Sequence, residues 1–325
     1  METPDSFTEV FAAATDDLMI FSNGPEDTAG AAGRQIGQVF EARGIRPSTH
    51  KAIDDSLSGE CVGVQLEEGV RLGVSAGRVA GLLWSALRTL LNPAISTKEL
   101  EVLLGSLQWY HLLRRPLLAG LNQVYRDLHA PGPVRAGPLP DAVLQELGCA
   151  MLLGCFWTVD LCKPYAGLLG ACDASTSFGF GGCVSAFPTD LVPKLARWCE
   201  KAGAYAVIDG VDDEESKRRI GARLELEVSL ANFRDVLCVR LHHEKHINIL
   251  ESEGLLLWLR WYTRSQAHQN SRVVVLIDST VVAQAAAKGR SSSSIGSCPE
   301  ATLSIGAGYW DHSFSADRAF RAQSF

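Results

Sequence analysis

Apolar residues recur along this chain in two rhythms, a period of two and a period near 3.6, and the switches between them mark its elements. Residues 8–22 (TEVFAAATDDLMIFS) alternate around Asp16-Asp17 as two short strands meeting at a tight turn, with both acids at the tip. Small residues over 28–43 predict a helix stopped by Gly44. The stretch 60–74 (ECVGVQLEEGVRLGV) predicts a second hairpin, turned at Glu67-Glu68-Gly69. A stronger helix is expected from Ser75 to Leu91, halting before Pro93. The next opens at Ser96, where Ser-Thr-Lys-Glu is a capping box, and Leu100, Leu103, Leu104 and Leu107 then share one apolar face as far as Trp109.

The segment APGPVRAGPLP at 130–140 reads as a linker between an N-terminal and a C-terminal unit. Beyond it, GLLGACDASTSFGFGGCV at 167–184 is an apolar strand carrying Asp173, followed by a Gly-rich turn into a second strand. An insertion at about 186–220 follows, with the charged run VDDEESKRR at 211–219. Then come strand-like ARLELEVSL and DVLCVRL, the apolar helix INILESEGLLLWLRWY with Glu251 near its start, and the β-branched strand RVVVLIDSTVV with Asp278. The order β-β-β-α-β calls for a mixed sheet with a flanking helix. From Ser291 the chain turns Ser-rich and aperiodic, so 291–325 is expected to be poorly ordered. No internal repeat is present. The expected divisions are 1–74, 75–130, 131–165, 166–290 and 291–325.

With 325 residues, 46% hydrophobic and 21% charged, the chain has the composition of a globular protein, which excludes disorder over its whole length. A net charge of −7 means that any polyanionic partner must be met by local patches. The nine cysteines form no CxxC pair and lie mostly in apolar runs such as LGCAMLLGCFW, which favours free thiols in a reducing compartment over disulfides or zinc. No apolar stretch approaches the roughly 20 residues of a membrane helix, and METPDSFTEV is no leader. A soluble, intracellular protein with no membrane partner is expected.

Asp173, Glu251 and Asp278 stand in matching apolar frames, strand, helix, strand. Taken singly, each has a bland reading as the cap of its element. Brought together by a fold, three carboxylates would repel strongly unless a divalent cation lay among them. Hard oxygen ligands suit Mg²⁺ or Mn²⁺, and two such ions about 4 Å apart serve metal-assisted hydrolysis of a phosphodiester.

The run LLGACDASTSFGFGGCVS, the helix entry HINILE and VVVLIDSTVVAQAAAKGRSSS resemble the ribonuclease H domain of retroelement reverse transcriptases, particularly those of tyrosine-recombinase-type elements. The resemblance implies a ribonuclease H-like mixed sheet with flanking helices over 166–290. It also implies that Asp173, Glu251 and Asp278 are catalytic and hold Mg²⁺ or Mn²⁺, with Ser175 and Ser279 near the backbone of an RNA–DNA hybrid and Lys288 and Arg290 meeting phosphates. Upstream, Asp16-Asp17, the amphipathic helix, Gly44, Lys51, the CVGVQL hairpin, ISTKELEVLLGSLQWYHLLRRPL and Tyr125 resemble the end of a reverse-transcriptase palm (1–74) with a helical thumb and connection (75–130).

The departures are specific. Ala14 stands where the polymerase family carries an aromatic residue, and the fingers and a further palm acid would lie before residue 1. Polymerase activity is therefore not expected of this chain alone. The family also supplies a fourth ribonuclease H acid on a late helix; Asp311 and Asp317, flanking His312, are the substitutes available in WDHSFSADRAF. The histidines of HHEKH, His242, His243 and His246, read as a polar turn rather than a ligand set. Two-metal hydrolysis of the RNA strand of a hybrid is the leading expectation. The alternatives are an inactive relic with at most weak nucleic-acid binding, and a 3′–5′ exonuclease on the same scaffold, for which the Asp-Asp hairpin and STKELEVLLGSLQW have no use.

Overall fold

The computed structural model describes residues 9–14, 17–22, 24–46, 52–130, 137–196, 199, 230–243, 245–289 and 321–324. Asp16, Lys51, Arg290, Asp311, His312 and Asp317 lie outside the described residues, as do most of the insertion, the expected strand at 222–229 and nearly all of 291–325. The architecture is mixed α and β. In chain order the first elements are β1 (Glu9–Ala14), β2 (Asp17–Ser22), α1 (Thr28–Ala42), β3 (Ile53–Ser56), β4 (Gly59–Cys61), β5 (Val64–Glu67) and β6 (Arg71–Gly73). Helices α2 (Ala76–Leu91), α3 (Thr97–His111), α4 (Asn122–Leu128) and α5 (Asp141–Leu152) follow, then β7 (Thr158–Asp160), β8 (Tyr165–Ser175) and β9 (Gly179–Ala186). The last are α6 (Val192–Ala196), β10 (Arg234–Arg240), α7 (Ile247–Tyr262), β11 (Arg272–Leu276), α8 (Thr280–Lys288) and β12 (Arg321–Ser324).

These elements fall into two compact units. The first takes Met1–Gly81, Phe156–Cys162 and Phe314–Phe325, and the second Leu82–Cys155 and Lys163–Ser313, each as far as its residues are described. The composition-based linker at 130–140 lies inside the second unit.

In the first unit β1 and β2 form the expected antiparallel hairpin, with Asp17 paired to Ala14 at its turn end. The expected single hairpin over 60–74 is instead three strands. Val62 and Gly63 both take positive φ, 47° and 79°, and turn β4 into β5. A β-branched residue seldom enters the left-handed region, so Val62 carried no turn signal. The second turn falls where expected, with Glu68 and Gly69 at φ 53° and 67° between β5 and β6.

The second unit begins with helices. Ser96 caps α3 as its sequence predicts: its Oγ accepts the Glu99 amide at 3.2 Å while its own amide donates to Glu99 Oε2 at 2.8 Å. Leu100, Leu103, Leu104 and Leu107 are all buried. Pro116, which lacks an amide hydrogen, sits in a tighter 3₁₀ stretch, Leu112–Leu121, between α3 and α4. Glu146 on α5 caps α4 by accepting the amides of Gln123 and Val124 at 2.6 and 3.0 Å.

The sheet of this unit has the strand order β10-β9-β8-β11, with β8 antiparallel to β9 and parallel to β11. Alternation along β11 divides its side chains between two cores. Val273 and Val275 join Leu255, Trp258, Tyr262 and Val282 of α7 and α8, whereas Val274 joins Leu169 and the residues of α6. Trp258 needs the glycines beneath it: a Cβ on Gly170 would stand 2.1 Å from its ring and one on Gly182 2.9 Å. Its indole N–H donates to the Cys183 carbonyl at 3.2 Å.

The expected strand RVVVLIDSTVV is shorter than its pattern. It ends at Leu276, and Ser279 opens α8 by accepting the Val282 amide at 3.3 Å. A serine cap followed by an Ala-rich run outweighs the β preference of Val281 and Val282. At the other end of α8, Arg115 donates to the Ala287 carbonyl at 3.1 Å, so the helical segment and the sheet are packed within one unit. No helix among the described residues is long and apolar enough to cross a membrane.

Candidate metal centre

The topology explains why three acids far apart in sequence meet. Strands β8, β10 and β11 all run the same way, because β9 reverses direction twice between β8 and β10. A crossover from β10 to β11 must return through a helix running antiparallel to both. That helix is α7, so its first turns lie at the edge where β8, β10 and β11 have their carboxyl ends. Ligand sites in open sheets form at such an edge.

Register then fixes the pair of aspartates. Leu276, the last residue of β11, is opposite Ala171 in the parallel ladder, so Asp278, two residues past the end of β11, comes out beside Asp173 on β8. Neighbouring strands are roughly 4.8 Å apart. Glu251 enters from above, on the second turn of α7, and Gly254 one turn later lies over Asp173, where a Cβ would meet the Asp173 carbonyl at 3.5 Å. Carboxylate oxygens of Asp173, Glu251 and Asp278 lie within 4.8 Å of one another, the one such group of potential ligands among the described residues. On the opposite flank Asp173 pairs with Gly181, beside which a Cβ would find only open space.

The environment of the three is unequal. Glu251 is buried, 7% exposed, while Asp173 and Asp278 are exposed. Burial first, then the charges of Asp278 and Asp173, push the Glu251 carboxyl up to about 7. The cluster thus lowers its own repulsion by keeping a proton near neutral pH. The neighbouring Cys172 thiol is pushed up to about 12, again mainly by burial and then by the same three acids. It is an inert core residue.

The donor set fits Mg²⁺ or Mn²⁺. All three ligands are hard oxygens, and two that share one Mg²⁺ at ~2.1 Å stand at most roughly 4.2 Å apart, a small side-chain rotation from the spacing here. Excess negative charge, part of it desolvated, is what a cation would neutralise.

No family model matches the chain, and no curated protein matches it either. The geometry therefore stands on its own.

The other sequence-derived residues are placed as follows. Ser175 ends β8 two residues beyond Asp173, and its Oγ accepts the amides of Ser177 and Phe178 at 3.2 and 3.4 Å. Ser279 is adjacent to Asp278 and caps α8. Both hydroxyls keep a proton to donate. Lys288 is not brought to the site: it ends α8, nine residues from Ser279 and roughly 13 Å along the helix axis. It is half-buried. Of the polymerase remnant, Asp17 is the first residue of β2.

His246 Nδ1 accepts the Asn248 amide at 3.3 Å and caps α7, while His242 and His243 are exposed. All eight described cysteines are free. Sequence reasoning overlooked Phe178, whose ring is exposed at the tip of the β8–β9 hairpin; an aromatic residue within the Gly-rich turn TSFGFG was the available signal.

Proposed function

We propose that this protein is a retroelement-derived ribonuclease H-like nuclease whose reaction is metal-dependent hydrolysis of the RNA strand of RNA–DNA hybrids. The observation that carries the reading is the convergence of Asp173, Glu251 and Asp278 at the carboxyl edge of a mixed sheet; the resemblance of the motifs around them supports it. Bound there, Mg²⁺ or Mn²⁺ supplies an activated water and offsets charge on the leaving oxygen. The chain's own residues do the rest. Asp173, near the end of β8, and Asp278, in the bend between β11 and α8, offer solvent-accessible carboxylates, and Glu251 anchors the cluster from the helix. The hydroxyls of Ser175 and Ser279 stand at the same edge, where they suit contacts to phosphate or 2′-hydroxyl groups. Selectivity of this kind reads groove shape and sugar chemistry rather than base sequence.

A second reading, an inactive relic that binds nucleic acid weakly, draws on the net charge of −7. One experiment separates them. The full chain is incubated with end-labelled RNA–DNA hybrid and 5 mM (~the level that saturates a modest carboxylate site) Mg²⁺ or Mn²⁺. Internal RNA cuts that disappear in Asp173→Asn support the nuclease. Cleavage equal in the wild type and Asp173→Asn assigns it to a contaminant and removes the reading, as does intact RNA. Release of single nucleotides from a DNA end would point to an exonuclease instead.

A further inference from the structure

Phe178 is the most exposed large apolar side chain among the described residues, at 84%. A lone exposed apolar residue is ordinary. This one is presented by a backbone pinned from both sides. The Ser175 hydroxyl accepts the Phe178 amide, and the Phe178 carbonyl accepts the Leu241 amide at 3.3 Å. The next residue, Gly179, holds φ +122°, and a Cβ there would stand 2.1 Å from the Val239 carbonyl oxygen. Such a turn cannot fold inward to hide the ring.

A cation accompanies it. Arg240 is the ladder partner of Gly179, is exposed, and forms no ion pair among the described residues. Arg240 ends the neighbouring strand β10, so ring and guanidinium stand at the same carboxyl edge of the sheet as Asp173. From Asp173 to Ser175 is two strand residues, roughly 7 Å, and the turn adds a few ångströms more. A separation of roughly 10 Å keeps the ring within a few nucleotides of the acids along a bound strand.

We infer that Phe178 is a substrate-positioning residue: its ring packs on a sugar of the hybrid within a few nucleotides of the phosphate at the acids, with Arg240 on a phosphate at the same edge. A strand of alternating apolar sugar faces and anionic phosphates is the partner that a fixed exposed ring and an exposed guanidinium at one sheet edge match. The inference rests on the nuclease reading above and deepens it by setting where the strand is gripped and hence where it is cut.

The test uses the full chain and a fluorescently labelled RNA–DNA hybrid. Binding is read by anisotropy in EDTA, and cut positions are read on the same hybrid in Mg²⁺. Phe178→Ala is expected to weaken binding by about tenfold, the scale of one lost aromatic contact to a nucleotide, and to spread the cut positions. Its melting temperature should stay at the wild-type value, and Phe178→Trp should restore both readouts. Arg240→Ala should reduce the salt dependence of binding by about one phosphate contact. Unchanged affinity and cut sites in Phe178→Ala, in a protein that cleaves, overturn this inference and leave the nuclease reading standing. Failure of Phe178→Trp to restore them assigns the loss to the turn and also overturns it. A wild type that neither binds nor cuts the hybrid overturns both.

Discussion

Glu251→Gln keeps the shape of the buried side chain and removes its charge, so it isolates the electrostatic cost of the cluster. Burial and the two aspartates lift the carboxyl from 4.5 to about 7 in the folded protein, whereas the unfolded chain has no such environment. Between these values the folded state holds a proton that the unfolded state has released. Stability therefore falls as pH rises through that window, and the whole penalty is present above pH 7. Carried in full, the gap is worth about 3 kcal/mol. Asp173 and Asp278 are exposed, and solvent screening of their charges leaves about 1–2 kcal/mol. Urea unfolding in EDTA should show Glu251→Gln more stable than the wild type by that amount at pH 8, with the gain shrinking steadily as pH is lowered toward 4.5. Equal stability at pH 8, or a gain that does not change with pH, would refute the argument.

Other consequences concern packing and reactivity. Gly170→Ala drives a methyl into the Trp258 ring, whose nearest atom would be 2.1 Å away, and should destabilise the second unit by about 2 kcal/mol or more in denaturant melts. Gly181→Ala, on the neighbouring strand with open space around it, should stay within about 0.5 kcal/mol of the wild type. Comparable losses in the two would show that Trp258 does not depend on a glycine floor. Native-state alkylation followed by peptide mass mapping should label exposed Cys149, Cys155, Cys162 and Cys238 well before Cys172, which is buried and whose thiol is held at about 12. Early labelling of Cys172 would contradict its place in the core.

The parts of the fold legible in the sequence are those in which local signals agree with tertiary packing. Ser96 and Glu99 form the capping box their spacing announces, and Leu100, Leu103, Leu104 and Leu107 bury the face their period defines. The three acids were legible because each interrupts an apolar run that only a buried strand or helix could use. What escaped had no local signal or a misleading one. Val62 turns the chain in a conformation β-branched residues avoid. Val281 and Val282 read as strand, although the Ser279 cap starts a helix through them. The seat of Trp258 on Gly170 and Gly182 is a contact across more than seventy residues, invisible to any short window. The distance of Lys288 from the site follows from the same misread helix.

Central to this account is that Asp173, Glu251 and Asp278 hold a divalent cation together. Calorimetric titration of Mn²⁺ into the EDTA-stripped full chain at pH 7.5 (~the range in which Glu251 gives up its proton) measures that directly, with Asp173→Asn and Asp278→Asn as comparisons. The account predicts saturable binding by the wild type and at least about tenfold weaker binding, ~1.4 kcal/mol, in each variant. Binding of equal strength in all three proteins, or none in the wild type at millimolar Mn²⁺, would contradict it.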